Sequence, residues 1–433
     1  MSTLADPNAG LHALQCVPVA RLDVLREHLR SAFRMARLLL DEVLGPRFSE
    51  HEPEEYRNLV GKAGGELAML LRLASRALPY ATDAHEIGTL AQDLAPLARS
   101  PHVYRALAFR PSRAPMHALA HLCLAQLGVP DDELDVIVRA ALRSSVCAAN
   151  ERMPYRMLDG AWTRHLAFGD AELSHPALPL SPLGTGVDLI EATPNDAYAF
   201  THALPYATDF GRLPLPDGYD SHHLLSIAEA LAAYALDDDD LDLVAEVLMA
   251  PAILRIGWTP TLSFAWDVLE RVWAELGFVP GPGLPPARTN ESRVETVRRV
   301  LGSVYHTTFA AGLCCATLIA CNVVPPGVEY GNGGRALPAG KGQAWRSNWQ
   351  QLSRQAQDDL VFLRLAFSFR RATDAADFVG LRDILGEAAA AGLLEHPLFL
   401  QGLELLERVA APDLRGARRE PTPAVAPAAR AMP

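Results

Sequence analysis

Apolar residues recur at intervals of three and four along most of this chain, the spacing that gathers them on one face of a helix. Leu25, Leu29, Phe33, Ala36 and Leu40 mark such a face between Leu22 and Leu44, and Gly45-Pro46 closes it. The same pattern predicts helices from Pro53 to Leu78, from Thr82 or Asp83 to Arg99, from Ala114 to Leu127, from Asp131 to Cys147 and from Met153 to Phe168. A connection rich in Pro and Gly follows at 169–191. Helices are then expected over Thr193–Gly211, Ser221–Leu236, Asp239–Met249, Thr259–Leu276, Glu291–Asn322, Gln343–Phe369, Asp374–Ala390 and Pro397–Val409. No alternating run is long enough to require a sheet. The fold class is therefore all-α, with antiparallel helical hairpins stacked into an α/α toroid or a compact α-solenoid. One repeat-like helical domain is expected at 18–410, with 169–191 as its possible sub-boundary. Residues 1–17 and the Pro/Ala/Arg-rich stretch 411–433 read as disordered ends.

Internal echoes support the hairpin as the unit. The heptapeptide ALPYATD stands at Ala77–Asp83 and again at Ala203–Asp209, with a weaker copy, RRATDAADF, from Arg370. PDDELDVIVRAAL from Pro130 matches DDDDLDLVAEVLM from Asp237. Thr-Asp in the heptapeptide reads as a shared turn-and-cap signal.

Composition narrows the function classes. A formal charge of −12 over 433 residues argues against general nucleic-acid binding, which needs a basic surface. Six cysteines without C-x-x-C spacing read as buried free thiols, the usual state in a reducing cytosol. The first residues lack the basic and apolar regions of a secretion signal, so a cytoplasmic protein is expected. The most apolar run, Thr308–Val324, continues from an Arg-rich amphipathic start and reads as a core helix rather than a membrane span.

The candidate chemistry centres on Thr193–Gly211. Thr193-Pro194 is a helix start, and helical spacing places Tyr198, His202, Tyr206 and Asp209 on one stripe. Pro205 lacks an N–H, so it frees the carbonyl of Thr201 and is expected to kink the helix. His306 enters the central apolar helix, where an imidazole needs a hydrogen-bond partner. His202, Tyr206, Asp209 and His306 are thus the candidate catalytic set, for acid–base work or metal binding, with Tyr198 as a substrate contact. His117 and His121 share a helical face and are weaker candidates for a metal. Asp238, Asp239 and Asp242 spell D-D-x-x-D, the spacing with which isoprenoid-diphosphate enzymes hold Mg²⁺, although the acidic start of the other hairpin suggests helix capping instead. The loop GNGGRALPAGKGQ lacks the spacing of a phosphate loop; as a flap, its Arg335 and Lys341 would meet an anionic substrate. No motif identifies a cofactor.

With Thr201-His202, Tyr206 and Thr208-Asp209-Phe210-Gly211 in view, the chain resembles a family of actinobacterial helical proteins of unknown function. The similarity lies in a T-H-x-x-x-Y-x-T-D-F-G segment followed by a D-L-D-L-V-A-E-V-L hairpin from Asp240, and covers Ala192–Met249 best. Pro205 stands where an aromatic residue is expected. The resemblance implies an α-helical fold and a place in specialised-metabolite gene clusters, and assigns no catalytic residue. Two readings follow. One is a cytoplasmic tailoring enzyme acting on a peptide or carrier-bound metabolite in a helical cavity, without nucleic-acid or membrane partners. The other is a non-catalytic helical-repeat scaffold that binds a partner protein or peptide.

Overall fold

Proline marks where many of the helices begin, because the N–H it lacks is one that a helix start leaves unpaired anyway. A computed structural model describes residues 19–44, 54–148, 152–169, 176–282, 292–330 and 344–410. Its first part comprises α1 (Val19–Leu39), which ends in a π-helical turn, Leu40–Leu44, then α2 (Glu54–Ala77), α3 (Ala81–Ala98), α4 (Pro101–Phe109), α5 (Ala114–Gln126), α6 (Asp132–Arg143), α7 (Ser145–Ala148) and α8 (Pro154–Phe168). There follow α9 (Pro182–Thr185), α10 (Pro194–Thr208), α11 (Ser221–Asp237), α12 (Leu241–Val247), α13 (Ala250–Leu254), α14 (Pro260–Leu276) and α15 (Arg293–Ala320). The last helices are α16 (Ala344–Gln351), α17 (Arg354–Asp359), α18 (Val361–Asp374), α19 (Phe378–Ala390) and α20 (Pro397–Ala410). The fold is all-α; among the described residues the β feature is one bridge between Tyr330 and Leu352.

Capping side chains account for many of the starts. Asp131, Asp220, Asp240, Thr259 and Asp377 each accept a backbone N–H of the first turn that follows. The stretch 343–369, expected as one helix, is instead three. Ser353 caps α17 with an acceptor 3.1 Å from the Ala356 N–H, and a further break falls at Leu360.

The organising element is α15. It is long and apolar enough to cross a membrane, yet 83% of its apolar window is buried, and it packs against α1, α2 and α12. α1 packs chiefly on α15, and α2 is shared between α15 and α5. Gly312 permits this close approach. A Cβ there would lie 3.0 Å from both Ala32 Cβ of α1 and Leu70 Cδ1 of α2. Adjacent helices do pair elsewhere: α2 with α3, α5 with α6, α11 with α12 and α18 with α19. Phe309, Cys314 and Cys315 of α15 belong to the core, and Cys123 of α5 is buried with them. These cysteines are free thiols, and burial pushes that of Cys123 up to about 12.

The two copies of ALPYATD do not fold alike. In the first, α2 ends at Ala77 and α3 begins at Ala81, so the string spans a helix break, and the residue before α3, Tyr80, makes no side-chain cap. In the second, the helix continues through Pro205 to Thr208. What the copies share is a buried aspartate that takes arginine. Asp83 accepts from Arg30 of α1 at 2.8 and 3.1 Å, and Asp209 accepts from Arg72 of α2 at 3.0 and 3.2 Å. The turn-and-cap reading of Thr-Asp is thereby corrected: the carboxylate's partner is a cation from another helix.

Two predictions follow from the packing. Gly312→Val puts side-chain atoms where α1 and α2 already touch, and is expected to cost about 1–3 kcal/mol in urea unfolding; an unchanged midpoint would refute the close-approach argument. His28 lies on Trp273, with ring centroids 4.7 Å apart, and His396 lies on Phe362 at 4.2 Å. Burial lowers their pKa values to about 4 and about 3. Between these values and the ordinary histidine value the unfolded chain binds more protons, so the stability they contribute is present above about 6.5 and lost as pH falls. Thermal unfolding between pH 7 and 5 should show this slope, and His28→Gln with His396→Gln should flatten it.

Candidate active site

α10 is started by a reciprocal cap. Thr193 Oγ1 accepts the Asp196 N–H at 3.3 Å, and Asp196 accepts the Thr193 N–H at 3.0 Å. From this start, helical spacing sends Tyr198, Thr201, His202, Pro205 and Tyr206 into one cavity of about 1400 Å³. The His202 ring lies among aromatic neighbours, with Tyr155, Tyr198 and Tyr206 at centroid distances of 5.8, 6.0 and 6.1 Å. Its Nδ1 is 2.7 Å from the Tyr198 carbonyl oxygen. The carbonyl accepts, so Nδ1 is an N–H donor, and in the neutral tautomer that this selects Nε2 is the acceptor.

Opposite α10, the short helix α12 presents Asp242 and Glu246, one turn apart. Tyr198 Oη donates to Asp242 Oδ2 at 2.9 Å, and Thr201 Oγ1 donates to Glu246 Oε2 at 2.5 Å. His202 Nδ1 lies 3.6 Å from the same Glu246 oxygen. His306 of α15 completes the group. Its Nε2 is 3.3 Å from Asp242 Oδ2, and its Nδ1 is 2.9 Å from Glu66 Oε2 of α2. Lys62 stands 3.7 Å from the other Glu66 oxygen. Asp159 of α8 lines the same cavity.

The electrostatics follow from burial set against these partners. Burial opposes a charge on His306, but the carboxylates of Asp242 and Glu66 outweigh it and raise its pKa to about 10. Burial raises Asp242, yet His306 and Tyr198 bring it below the ordinary carboxylate value. Glu246 goes the other way: burial, with Asp242 nearby, raises it despite His202. Asp159 is also raised by burial. The Tyr206 phenol is held protonated by burial, with Asp159 adding to the effect. One cavity therefore holds two acids of raised pKa, Glu246 and Asp159, together with His306 between two carboxylates and the imidazole of His202.

A family model described as a domain of unknown function (DUF6895) matches residues 22–316. The chain belongs to this family. No curated protein and no solved structure matches it. The DUF6895 span runs from α1 into α15 and contains Glu66, Asp159, Tyr198, His202, Asp242, Glu246 and His306. The helices from α16 onward lie beyond it.

Within this DUF6895 chain the expected site residues divide. Tyr198, His202, Tyr206 and His306 line the cavity together. Asp209 does not join them. It ends α10 in a left-handed conformation with no side-chain exposure, held by Arg72, Arg76, Arg212 and the Trp162 indole N–H. Burial raises its pKa, and the arginines more than reverse this, leaving it well below the usual carboxylate range. It is a structural ion-pair hub. The bend after it brings Gly211, at φ +79°, so close to Cys321 Sγ that a Cβ would stand 2.9 Å away.

His117 and His121 part company as well. His117 lines the cavity and stacks edge-on to His102, whereas His121 is fully buried with Asp135 Oδ1 3.7 Å from its Nε2. The D-D-x-x-D string straddles a turn instead of lying on one helix. Asp238 ends α11 and binds Arg370, Asp239 is left-handed with φ 53°, Asp240 caps α12, and Asp242 alone reaches the cavity. Its carboxylates do not form one metal face. Arg335 and Lys341 lie outside the described residues.

Glu66, Asp159 and Glu246 were not singled out from the sequence. The hairpin echo carried a signal for Glu246: at the matching position of the other copy stands Arg139, which closes an ordinary pair with Asp135 at 2.5 Å. Two acids one turn apart repel each other, and here they are also buried.

The Asp209 hub generates a prediction. Asp209→Asn leaves Arg72, itself buried, without its counter-charge, and is expected to destabilise the fold by about 3–5 kcal/mol in urea unfolding. A loss under about 1 kcal/mol would show that the arginines find other partners.

Proposed function

We propose that this protein is an enzyme acting on a small molecule or peptide held in the central cavity, with His202, His306, Asp242, Glu246 and Glu66 as its reacting and positioning groups. The observation that carries this reading is the buried pair of acids, Asp242 and Glu246, facing two histidines in a cavity. Burying such a pair opposes folding, and the equivalent hairpin folds with an acid–base pair instead. Perturbed acids and bases gathered in one pocket are the usual mark of catalysis.

The roles follow from protonation. Glu246, raised by burial, is suited to proton donation. His202, with Nε2 open, is suited to proton acceptance. Tyr198 positions Asp242, and the protonated Tyr206 phenol offers a hydrogen bond to a ligand. At about 1400 Å³ the cavity exceeds the usual range for drug-sized ligands. Its size supports a bulky substrate, such as a peptide or a carrier-tethered intermediate. The T-H-x-x-x-Y-x-T-D-F-G resemblance supports a tailoring step in actinobacterial specialised metabolism, carried out in the cytoplasm.

The test uses purified full-length protein and a small-molecule extract of cells that lack it, followed by mass spectrometry. Wild type should consume a feature that Glu246→Gln and His202→Ala spare, both variants keeping wild-type circular dichroism. Asp135→Asn, in the other hairpin, should behave as wild type. A protein that alters no feature, or whose conversion survives both cavity substitutions, is not the enzyme proposed; the first result is the one a non-catalytic scaffold gives.

A further inference from the structure

We propose that Asp242, Glu246 and His306 Nε2 form a three-ligand site for one divalent transition-metal ion in the cavity. The inference rests on the cavity being the functional site and names the cofactor class that it would use; as a ligand Glu246 is deprotonated, so its proton-donor role belongs to the metal-free cavity. Candidate ligand atoms of the three residues lie within 4.8 Å of one another. Ligands about 2.0–2.2 Å from one ion sit somewhat closer together than that, so the side chains need to close in only slightly. Among the described residues, this is the one group of three or more such side chains so placed.

Three features point to a cation rather than to an incidental cluster. Asp242 is only 2% exposed and lines the cavity; its Oδ1 makes no well-formed hydrogen bond among the described residues, with the Thr307 hydroxyl near the carboxylate. A buried carboxylate oxygen left bare is costly, and a coordinated cation satisfies it. Next, Glu66 sits 2.9 Å from His306 Nδ1 and directs Nε2 toward Asp242. A carboxylate that orients the far nitrogen of a histidine is the usual support of a metal-bound imidazole. Finally, one oxygen of each carboxylate is pinned by a hydroxyl, Tyr198 on Asp242 and Thr201 on Glu246, which fixes the direction of the other.

One histidine with two carboxylates suits Zn²⁺, Mn²⁺ or Fe²⁺ and disfavours soft, thiolate-seeking ions. Three protein ligands leave a coordination position for water or substrate, as catalytic rather than structural sites do. His202 stands on the Glu246 side of the group, its Nδ1 3.6 Å from Glu246 Oε2. The ion would replace the direct pairing of His306 Nε2 with Asp242 Oδ2, which lie 3.3 Å apart.

The experiment is metal titration of full-length, chelator-stripped protein with Co²⁺ and with Zn²⁺, followed by calorimetry and, for Co²⁺, by visible absorption. One ion per chain is expected, with a Co²⁺ spectrum that is lost or shifted in His306→Ala and in Glu246→Gln. Glu66→Gln should keep the stoichiometry and weaken affinity by roughly 10–100-fold, as loss of an orienting partner does. Wild-type protein that binds no ion, or a Co²⁺ spectrum indifferent to both ligand substitutions, overturns the site. Wild type alone decides this if the variants fail to fold. Substrate conversion that persists after complete metal removal overturns the ion as the cofactor of this cavity while leaving the enzyme reading intact. A bound ion in a protein that converts nothing supports the site and removes the enzyme reading.

Discussion

A carboxylate cannot remain charged inside an alanine- and leucine-rich helical bundle unless a cation or a set of donors answers it. This constraint shapes the molecule. Asp83 is answered by Arg30, which ties α3 to α1. Asp209 is answered by Arg72 and Arg76, which tie the end of α10 to α2. Asp242 is answered by His306, which ties α12 to α15. The choice of cation separates structure from chemistry. Arginine keeps its charge at every physiological pH, so its pairs act as fixed fasteners. Histidine, unlike arginine, can exchange its proton for a metal, so its pair need not be a fixed fastener.

Much of the fold was legible because helix formation is local. The three-and-four spacing located most helices, and the Thr193 start of α10 is present with the reciprocal Asp196 bond. Tyr198, His202 and Tyr206 reach one cavity because helical spacing alone gives them one face. Pairing was less legible. Nothing near α1 or α2 announces that a helix more than two hundred residues away packs on both. Asp209 misled for the same reason: its stripe position was visible, but its partner Arg72, 137 residues earlier in the chain, was not. Glu66 and Asp159 look like solvent-facing acids of amphipathic helices, and only tertiary packing turns them inward. Glu246 too was missed, although comparison with Arg139 in the sister hairpin carries a signal for it.

The repeated heptapeptide makes a related point. The same seven residues cross a helix break at 77–83 and lie within and at the end of one helix at 203–209. Pro79 falls where α2 has already ended, whereas Pro205 sits inside a helix held on both sides by packing. Local preference is a weak term beside burial. The family span shows a comparable division. It stops within α15, yet α18 and α20 pack on α11, the partner of α12. The C-terminal helices thus brace the pair that carries Asp242 and Glu246 without contributing a residue to the cluster.

The buried cysteines give the molecule an internal clock. Thiol reagents attack the thiolate, and Cys123, Cys314 and Cys315 are shielded from solvent with pKa values raised by burial. While the core is closed these sulfurs stay silent. Cys314 and Cys315 lie on α15, so their labelling rate times how often the packing around the central helix opens, and Cys123 times the opening around α5. Chemistry that native burial suppresses becomes a recorder of the excursions by which the bundle breathes.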